Sequence, residues 1–390
     1  MVAAVVGLLA VAPLTAQDPS PQPELIRVLL NRIEATTSVA LSSDDGIELF
    51  APGEAEPVAV TKPGEQIAVS LEAGMLRIGT RRYNQVWVLP LGRNITVSAG
   101  ARRTYRGRIR LLPGTRRLLV VNEVGLEAYL MGVVPAEMPP SFHPEALKAQ
   151  AIAARTFAMA RILRAAGDVF DLDDTTASQS YLGIGIEAPQ TNAAVRETAN
   201  LALLYGGEPI QALYCTVSGG VTAGNEEAFG GVPLPYLRSV RDADPSGSPY
   251  GAWSPNQSWE FLLRAYPGVG AVMRVEVLKR TASGRAAAIR ISGERGAVTV
   301  SGTSFRNAVG VNSLKSLLID SVEATEQGVR IRGRGWGHGV GMCQAGAQGR
   351  ALSGQTYDFI LATYYPGASL TFLPEPVLFV RALAPALSRR

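Results

Sequence analysis

Short apolar stretches separated by Gly, Pro and Asp fill the first quarter of the chain. Within most of them apolar and polar residues alternate, and a period of two places the apolar side chains on one face of a strand. The pattern predicts small β-strands at 26–30, 37–41, 47–50, 58–60, 67–71, 76–78 and 86–89. We expect an all-β packing region here, and we find no candidate chemistry in it.

A helical pattern replaces this alternation at Pro144, a residue that suits the first position of a helix. Strong helix formers follow, with no further Gly or Pro before Gly167. Apolar residues at 147, 151, 154 and 158 form a narrow stripe, so the helix is expected to pack closely on another element. Lys148 and Arg155 are seven positions apart and share one face of it.

Two interpretations are open for Glu137, which precedes this helix in a Pro-containing segment predicted to be an irregular turn. It is either an exposed loop carboxylate or a general acid. Met138, Pro139 and Phe142 would desolvate the carboxyl group, and desolvation raises a carboxyl pKa so that a proton stays available near neutral pH. The residue pattern alone does not decide between the two.

Composition and charge narrow the class of protein. A chain of 390 residues is long enough for two domains, and 47% hydrophobic with 18% charged residues is typical of a globular protein. The excess of 37 Lys and Arg over 33 acidic residues gives a net charge of +4. Because no basic block with interleaved aromatic residues is present, the sequence does not indicate a nucleic-acid partner.

The N-terminus predicts export. Residues 2–14 are apolar, without an acidic residue, and too short to span a bilayer. We interpret 1–16 as a signal peptide and 17–24 as a linker, although the usual positive start is absent and a buried strand is the alternative. No other run has membrane length, so the processed product is expected in the periplasm, cell envelope or extracellular space, without a membrane span.

Three segments carry a resemblance to a known family. Residues 135–139 read Pro-Ala-Glu-Met-Pro, 146–151 read Ala-Leu-Lys-Ala-Gln-Ala and 153–156 read Ala-Ala-Arg-Thr. Together they resemble the signature of the SpoIID/LytB family, which includes a sporulation lytic transglycosylase and an amidase enhancer. The resemblance covers about 106–370. It implies that Glu137 is the catalytic acid/base and that Lys148 and Arg155 are active-site residues.

Further signature segments lie downstream. Residues 178–183 match the family's Gln-x-Tyr-x-Gly stretch near the glycan cleft. Residues 211–222 form a second signature, in which a strand ends at a Gly-Gly turn. Residues 333–347 are rich in glycine, which lets backbone N–H groups line a cleft, and they lack the Gly-Lys-Ser/Thr of a phosphate loop. For His338 a hydrogen bond to sugar and a purely structural role both stay open. The predicted substrate-binding set is Lys148, Arg155, Gln179, Tyr181, Ser218, Gly219, Gly220, His338 and Gln344.

Two cysteines, Cys215 and Cys343, each lie in a signature segment. Zinc-binding members of the family carry additional His and Cys residues that are absent here, so we predict no metal and no cofactor. Export would allow Cys215 and Cys343 to form a disulfide, and two separate buried thiols are the alternative.

Two polar loops complete the interpretation. The acidic residues at 171, 173 and 174 lack the Gly and distal Glu of a calcium loop, so we predict a solvated loop. Trp253, in the loop 242–257, either stacks on a sugar or packs the loop.

The sequence therefore predicts an α+β fold with a β-rich, two-part architecture. A β accessory region (25–100) precedes a SpoIID-like catalytic domain (101–373) that contains the key helix, and a tail follows (374–390). The resemblance implies a peptidoglycan lytic transglycosylase that cleaves glycan strands between MurNAc and GlcNAc and leaves a 1,6-anhydro product. The alternative is a non-catalytic, glycan-binding enhancer of a cell-wall amidase, and an amidase is a candidate partner in either case.

Overall fold

The computed structural model describes residues 25–35, 37–165, 168–242 and 251–373. The predicted signal peptide, linker and C-terminal tail lie outside the described residues. Helices and strands are mixed throughout the rest, and an all-β region precedes a core with helices, which confirms the α+β prediction.

Alternating apolar residues form the N-terminal strands close to where the pattern predicts them. Their inward side chains, such as Val39, Leu41 and Val69, are fully buried, which explains why the alternation was visible in the sequence. The strands are β1 (Ile26–Leu29), β2 (Ser38–Ser42), β3 (Ile47–Phe50), β4 (Ala59–Val60), β5 (Ile67–Glu72), β6 (Met75–Ile78), β7 (Arg81–Tyr83), β8 (Val86–Pro90), β9 (Asn94–Ser98), β10 (Arg102–Arg106), β11 (Arg108–Pro113) and β12 (Leu118–Val124).

These strands form two sheets. The six-stranded sheet has the order β10-β9-β2-β5-β6-β7. The seven-stranded sheet has the order β13-β1-β12-β11-β8-β3-β4, where β13 (Leu172–Asp173) comes from much later in the chain and pairs parallel to β1. Both sheets contain strands from either side of residue 100, and the domain division at that residue stays a prediction.

Helices α1 (Leu126–Glu137) and α2 (Pro144–Arg164) follow the sheets. The prediction of an irregular turn around Glu137 was wrong, because α1 continues through Pro135 and Glu137 is its last residue. Pro135 lies in the last turn, where its missing N–H removes a single helical bond, and burial of Val133 and Val134 stabilises the helix there.

Helix α2 lies between two hydrophobic cores. The predicted stripe is buried: Ala151, Ala154 and Ala158 face the core of the N-terminal sheets, and Leu147 faces a second core. The second core is formed by α2 with the elements α3 (Pro189–Glu197), β14 (Leu201–Tyr205), β15 (Glu208–Pro209), β16 (Tyr214–Cys215), α4 (Asn225–Phe229), β24 (Met342–Cys343), α7 (Gln344–Leu352), α8 (Tyr357–Tyr364) and β25 (Ser369–Phe372).

A third core belongs to the segment between β16 and β24. Trp253 is buried there and donates its indole N–H to the carbonyl oxygen of Gly335 at 2.9 Å, so the packing interpretation of this residue is the one that the structure supports. The elements of this segment are β17 (Ala252–Trp253), β18 (Asn256–Ser258), α5 (Trp259–Ala265), β19 (Val272–Arg280), β20 (Ala286–Gly293), β21 (Gly296–Ser301), α6 (Gly302–Val309), β22 (Ile319–Thr325) and β23 (Gly328–Arg334).

The acidic residues near β13 do not form a solvated loop, and that prediction was wrong. Asp171 is buried and pairs with Arg27 of β1, with 2.6 Å between guanidinium nitrogen and carboxylate oxygen. Asp174 is also buried, and its carboxylate accepts hydrogen bonds from the backbone N–H groups of Asn31 and Arg32 at 2.8 and 3.1 Å. These carboxylates fasten the loop after α2 to the end of β1.

Candidate active site

Glu137 occupies a partly covered position at the C-terminal end of α1. Its Oε1 accepts a hydrogen bond of 2.6 Å from the backbone N–H of Ser180. Burial raises the pKa of Glu137 above its usual value, while hydrogen bonds from the backbone and the side chain of Ser180 and the positive charge of Arg32 act in the opposite direction. The negative end of the α1 dipole also disfavours a carboxylate there. Glu137 therefore keeps its proton to a higher pH than an exposed glutamate does.

Gln179 joins two tyrosines next to this carboxyl group. Its side-chain oxygen accepts from the hydroxyl of Tyr129 at 3.2 Å, and its Nε2 donates to the hydroxyl of Tyr214 at 3.0 Å and to the carbonyl of Ala154 at 3.3 Å. Both tyrosines lie close enough to Glu137 for its charge to raise their pKa further, after burial, which is the largest cause. This network holds the backbone of residues 179–180, which binds Glu137.

Sequence reasoning missed Tyr129 and Tyr214. Tyr129 lies in α1, and Tyr214 lies in the signature segment 211–222 directly before Cys215. Helical spacing of eight positions from Tyr129 to Glu137 is the one local signal that places both on the same side of α1.

The second and third signature segments meet through β16 and β24, which pair parallel with Tyr214 opposite Met342 and Cys215 opposite Cys343. His338 precedes β24, and its ring bonds to the protein backbone. Its Nδ1 accepts from the Val340 N–H at 3.0 Å, and the ring also makes a hydrogen bond to the backbone of Tyr214. Burial among protein atoms lowers the pKa of His338 to about 4, so the ring is neutral near pH 7. The structural interpretation of His338 is therefore favoured.

Ser218 belongs to a buried hydrogen-bond network that connects separate segments, rather than to an open cleft. Its hydroxyl donates to Asp242 at 2.6 Å and accepts from the Gly220 N–H at 3.2 Å. Gly219 and Gly220 have φ angles of 77° and 99°, which glycine adopts readily, so the predicted turn is present. The other carboxylate oxygen of Asp242 accepts from the hydroxyl of Tyr364 at 2.5 Å, which connects this turn to α8.

Cys215 and Cys343 lie opposite each other on the paired strands β16 and β24, and both are free, buried thiols. The Sγ of Cys343 accepts from the N–H groups of Ser218 and Gly346, each at 3.2 Å, so Cys343 is the N-cap residue of α7. Ser and Thr are the usual N-cap residues, so a thiol stands here where a hydroxyl is more common. Burial raises the pKa of Cys215 to about 12 and that of Cys343 well above its usual value, so both thiols stay protonated.

Lys148 and Arg155 of α2 are paired with carboxylates of the protein. Lys148 lies 3.1 Å from Glu145 and 3.0 Å from Glu197, and its side chain is 21% exposed. Arg155 binds Glu127 of α1 through two nitrogens, at 2.6 and 2.7 Å, and its side chain is 2% exposed. Arg155 thus connects α1 to α2 instead of pointing into solvent.

The remaining predicted residues are also enclosed. The hydroxyl of Tyr181 donates to the Asn122 side chain at 2.9 Å, and the ring packs on Tyr129 with 4.9 Å between centroids. Gln344 is buried, and its Nε2 lies 3.4 Å from Oε1 of Gln150. Direct substrate contact by Arg155, Gln179, Tyr181, Ser218 and Gln344 stays a prediction, and their burial and pairing argue for a supporting role.

Two features are absent from the described residues. No three His, Cys, Asp or Glu side chains in that part of the chain lie in a group that could hold a metal ion. None of the helices found there is both long and apolar enough to cross a membrane.

Comparison with known proteins gives two family matches. The family described as stage II sporulation protein matches residues 115–205, and a domain of unknown function matches 260–341. The first match contains α1, α2 and Ser180, and the second lies in the segment that forms the third core.

Similar full-length proteins come from bacteria. Stage II sporulation protein D of Bacillus subtilis is 34% identical over 273 residues, which are 64% of this chain and 76% of that protein. An uncharacterized protein of Brachyspira hyodysenteriae is 35% identical over 271 residues, 68% of this chain and 72% of that one. An amidase enhancer of Bacillus subtilis is 29% identical over 295 residues, 62% of this chain and 40% of the enhancer. This chain therefore belongs to the SpoIID/LytB family, as its signature segments predict.

Proposed function

We propose that this protein is an exported lytic transglycosylase of the cell wall that cleaves peptidoglycan glycan strands between MurNAc and GlcNAc. The proposal rests on the environment of the Glu137 carboxyl group. Its carboxyl group is desolvated, receives one backbone hydrogen bond and has a raised pKa. That combination suits a group that must first give up a proton and then take one.

The proposed reaction uses Glu137 twice. The protonated carboxyl group donates its proton to the glycosidic oxygen as the bond from muramyl C1 to that oxygen breaks. The resulting carboxylate then removes the proton of the muramyl C6 hydroxyl, whose oxygen bonds to C1 and closes the 1,6-anhydro ring. A glycosidase that adds water would use a second carboxylate, and this sequence of steps does not need one.

The residues around Glu137 act in this proposal as positioning groups. The Ser180 N–H bonds to Oε1 and stabilises the carboxylate formed after the first proton transfer. Gln179, held by Tyr129 and Tyr214, keeps Ser180 in place. Arg155 fixes α1 against α2 through Glu127, so that the end of α1 presents Glu137 in a constant orientation.

An enhancer function is the second candidate, because one relative is named an amidase enhancer. In that case the cleft binds glycan without cleaving it, and a cell-wall amidase is the partner. The two candidates differ in the chemistry of the products, since the amidase cuts the stem peptide from the sugar and leaves the glycan strand intact.

Digestion of purified glycan strands, with and without stem peptides, followed by mass analysis of the ends, tests the proposal. We expect 1,6-anhydro ends with the wild type and none with Glu137→Gln. Glu208→Gln is a matched control, because Glu208 is exposed on the hairpin β14–β15. Wild-type protein that yields no anhydro ends but accelerates an added amidase would favour the enhancer function, and equal cleavage by Glu137→Gln would refute the assignment of the acid.

A further inference from the structure

A glycan with free muramyl carboxylates is anionic, so a cleft that binds it needs a cation. The two cations that the family signature suggests are already neutralised. Lys148 contacts two glutamates, and Arg155 makes a two-nitrogen pair with Glu127. Each would have to leave its partner to bind a substrate carboxylate, which leaves the expected positive charge of the cleft without a source on α2.

Arg32 supplies a positive charge from an unexpected place, the segment directly after β1. Its Nε donates to the carbonyl oxygen of Asp174 at 2.8 Å. The same carbonyl accepts from the Tyr181 N–H at 3.3 Å, and the neighbouring Ser180 N–H binds Glu137. Arg32 is thus bonded to the segment 174–181, whose backbone also binds the catalytic carboxyl group.

The segment that carries Arg32 is held firmly. The carboxylate of Asp174 accepts from the backbone N–H groups of Asn31 and Arg32, and the charge of Arg32 favours its ionised form without forming an ion pair with it. Arg27 fastens the same loop through Asp171. The backbone at Arg32 is therefore held in a fixed position, and the side chain extends from it.

The rest of the Arg32 guanidinium has no protein partner in the part of the chain that the structure describes. No carboxylate there lies within ion-pair distance of it, and neither Nη1 nor Nη2 hydrogen bonds to a described residue. Its positive charge nevertheless reaches the carboxyl group of Glu137, where it favours the ionised form. Arg32 is partly exposed, so a ligand can approach it.

We propose that Arg32 is the cationic substrate-binding residue of the Glu137 cleft and that its two free Nη groups bind a carboxylate of an acidic sugar. This inference rests on the proposed function for the position of the sugar, and it names the residue that selects an anionic glycan. The Nε bond to Asp174 fixes the plane of the guanidinium, and a fixed guanidinium matches the two oxygens of a carboxylate better than a lysine does.

Binding measurements test Arg32 separately from catalysis. In the Glu137→Gln background, affinity is measured for glycan strands with free muramyl carboxylates and for the same strands after the carboxylates are amidated. We expect Arg32→Gln to weaken binding of the acidic strands on the order of tenfold and to leave the amidated strands unchanged. Arg32→Lys should restore part of the affinity, because it keeps the charge and loses the paired geometry.

Arg117→Gln is the matched control. Arg117 contacts the same segment through the Asn31 side chain at 2.8 Å, and its substitution removes the same charge. We expect it to leave both affinities unchanged. An equal loss in Arg117→Gln, or an equal loss on amidated strands in Arg32→Gln, would overturn the proposal. If Arg32→Gln does not fold, the acidic-to-amidated affinity ratio of Arg32→Lys decides, and a ratio equal to that of the wild type overturns it.

A second readout does not depend on substrate. The pKa of Glu137 is measured by carbon NMR titration of the side-chain carboxyl in the wild type and in Arg32→Gln. Tyr129 of α1 and Tyr214 of β16 also interact with this carboxyl group, and Arg32 is the cation that does so. Loss of Arg32 should raise the pKa of Glu137, whereas an unchanged pKa would place Arg32 too far from the cleft for the proposed role.

These measurements separate the two proposals. Anhydro products that are independent of Arg32, with unchanged binding of acidic glycan, would leave the lytic function standing and remove the role of Arg32. A protein whose binding of acidic glycan depends on Arg32, but which makes no anhydro product, would keep the role of Arg32 and remove the lytic function.

Discussion

Two carboxyl groups of the core, Glu137 and Asp242, are both partly or fully withdrawn from water and differ in how they are satisfied. Glu137 accepts from Ser180, through the backbone N–H at 2.6 Å and through the side chain, and burial outweighs both. Asp242 is buried, and each of its oxygens accepts from a hydroxyl group, Tyr364 at 2.5 Å and Ser218 at 2.6 Å. One is at the end of a helix and half-buried, and the other is buried and joins the turn at Ser218 to α8.

The difference shows how the same chemical group serves two purposes. A carboxyl group whose desolvation outweighs its hydrogen bonds has a raised pKa and exchanges its proton. A carboxylate with hydroxyl donors on both oxygens stabilises the fold, because its removal leaves buried hydroxyl groups without acceptors. Glu137 bonds to one residue of a neighbouring loop, whereas Asp242 connects the turn at Ser218 to α8, and this difference in connection separates their roles.

Glu137→Gln should give the largest effect on activity. The amide keeps the shape and cannot transfer the proton, so turnover should fall on the order of 10²- to 10⁴-fold, while the melting temperature stays close to that of the wild type. In the wild type, kcat/KM should fall as pH rises through the raised pKa of Glu137, since the free enzyme must be protonated. Unchanged turnover, or a fall toward low pH in this range, would contradict the acid role.

Tyr364→Phe should instead reduce stability. It removes the hydroxyl that satisfies one oxygen of Asp242, and loss of a bond to a buried charge costs about 2 kcal/mol of unfolding free energy. The neighbouring Tyr365→Phe is the control, because its hydroxyl donates to the neutral carbonyl of Leu213 at 2.7 Å, for which about 1 kcal/mol is expected. Denaturant unfolding of both variants measures the difference, and equal losses would mean that Asp242 is not charged or not held by Tyr364.

The local part of this architecture could be predicted from the sequence. The N-terminal strands were predicted from alternation, and the start of α2 from Pro144, because both signals come from residues that are adjacent in the chain. The turn predicted at Glu137 failed because burial of Val133 and Val134 outweighs the local effect of Pro135.

The supporting layer of the site could not be predicted in the same way. Arg32 and Asp174 meet although 142 positions separate them, and Arg27 and Asp171 are 144 positions apart. No period or spacing reports such a contact. The acidic residues near β13 therefore looked like a solvated loop. Arg32, whose charge reaches Glu137, lies in a region where the sequence shows no candidate chemistry.

Arg155→Lys tests whether the signature arginine is structural. Lysine keeps the charge but loses the two-nitrogen pair with Glu127, so we expect a loss of about 1–2 kcal/mol in unfolding free energy. Turnover of the folded protein should fall by a small factor, because the end of α1 that presents Glu137 is held less firmly. Glu127→Gln is the reciprocal control, since it breaks the same pair from α1. A large loss of turnover in Arg155→Lys without a matching loss in Glu127→Gln would indicate direct contact between Arg155 and substrate.

The smallest effect is expected at Cys343, where a thiol occupies a position suited to a hydroxyl. Its Sγ caps α7 by accepting from the Gly346 N–H, so Cys343→Ser should keep the cap and change the unfolding free energy by less than about 0.5 kcal/mol. Cys343→Ala removes the cap and should cost about 1 kcal/mol. A serine variant as unstable as the alanine variant would contradict the capping role.

The same residue decides the question of the disulfide. Cys215 and Cys343 are opposite each other on parallel strands, yet the Cys343 thiol is directed to the N–H groups of Ser218 and Gly346, and both cysteines are free. Because burial raises the pKa of both thiols, neither should react while the protein is folded. Alkylation after unfolding without reductant, read by mass spectrometry, should modify two thiols per chain. A chain that takes up no label until reductant is added would show that the pair is bridged, and in that case Cys343→Ser should lower stability by far more than the loss of a cap.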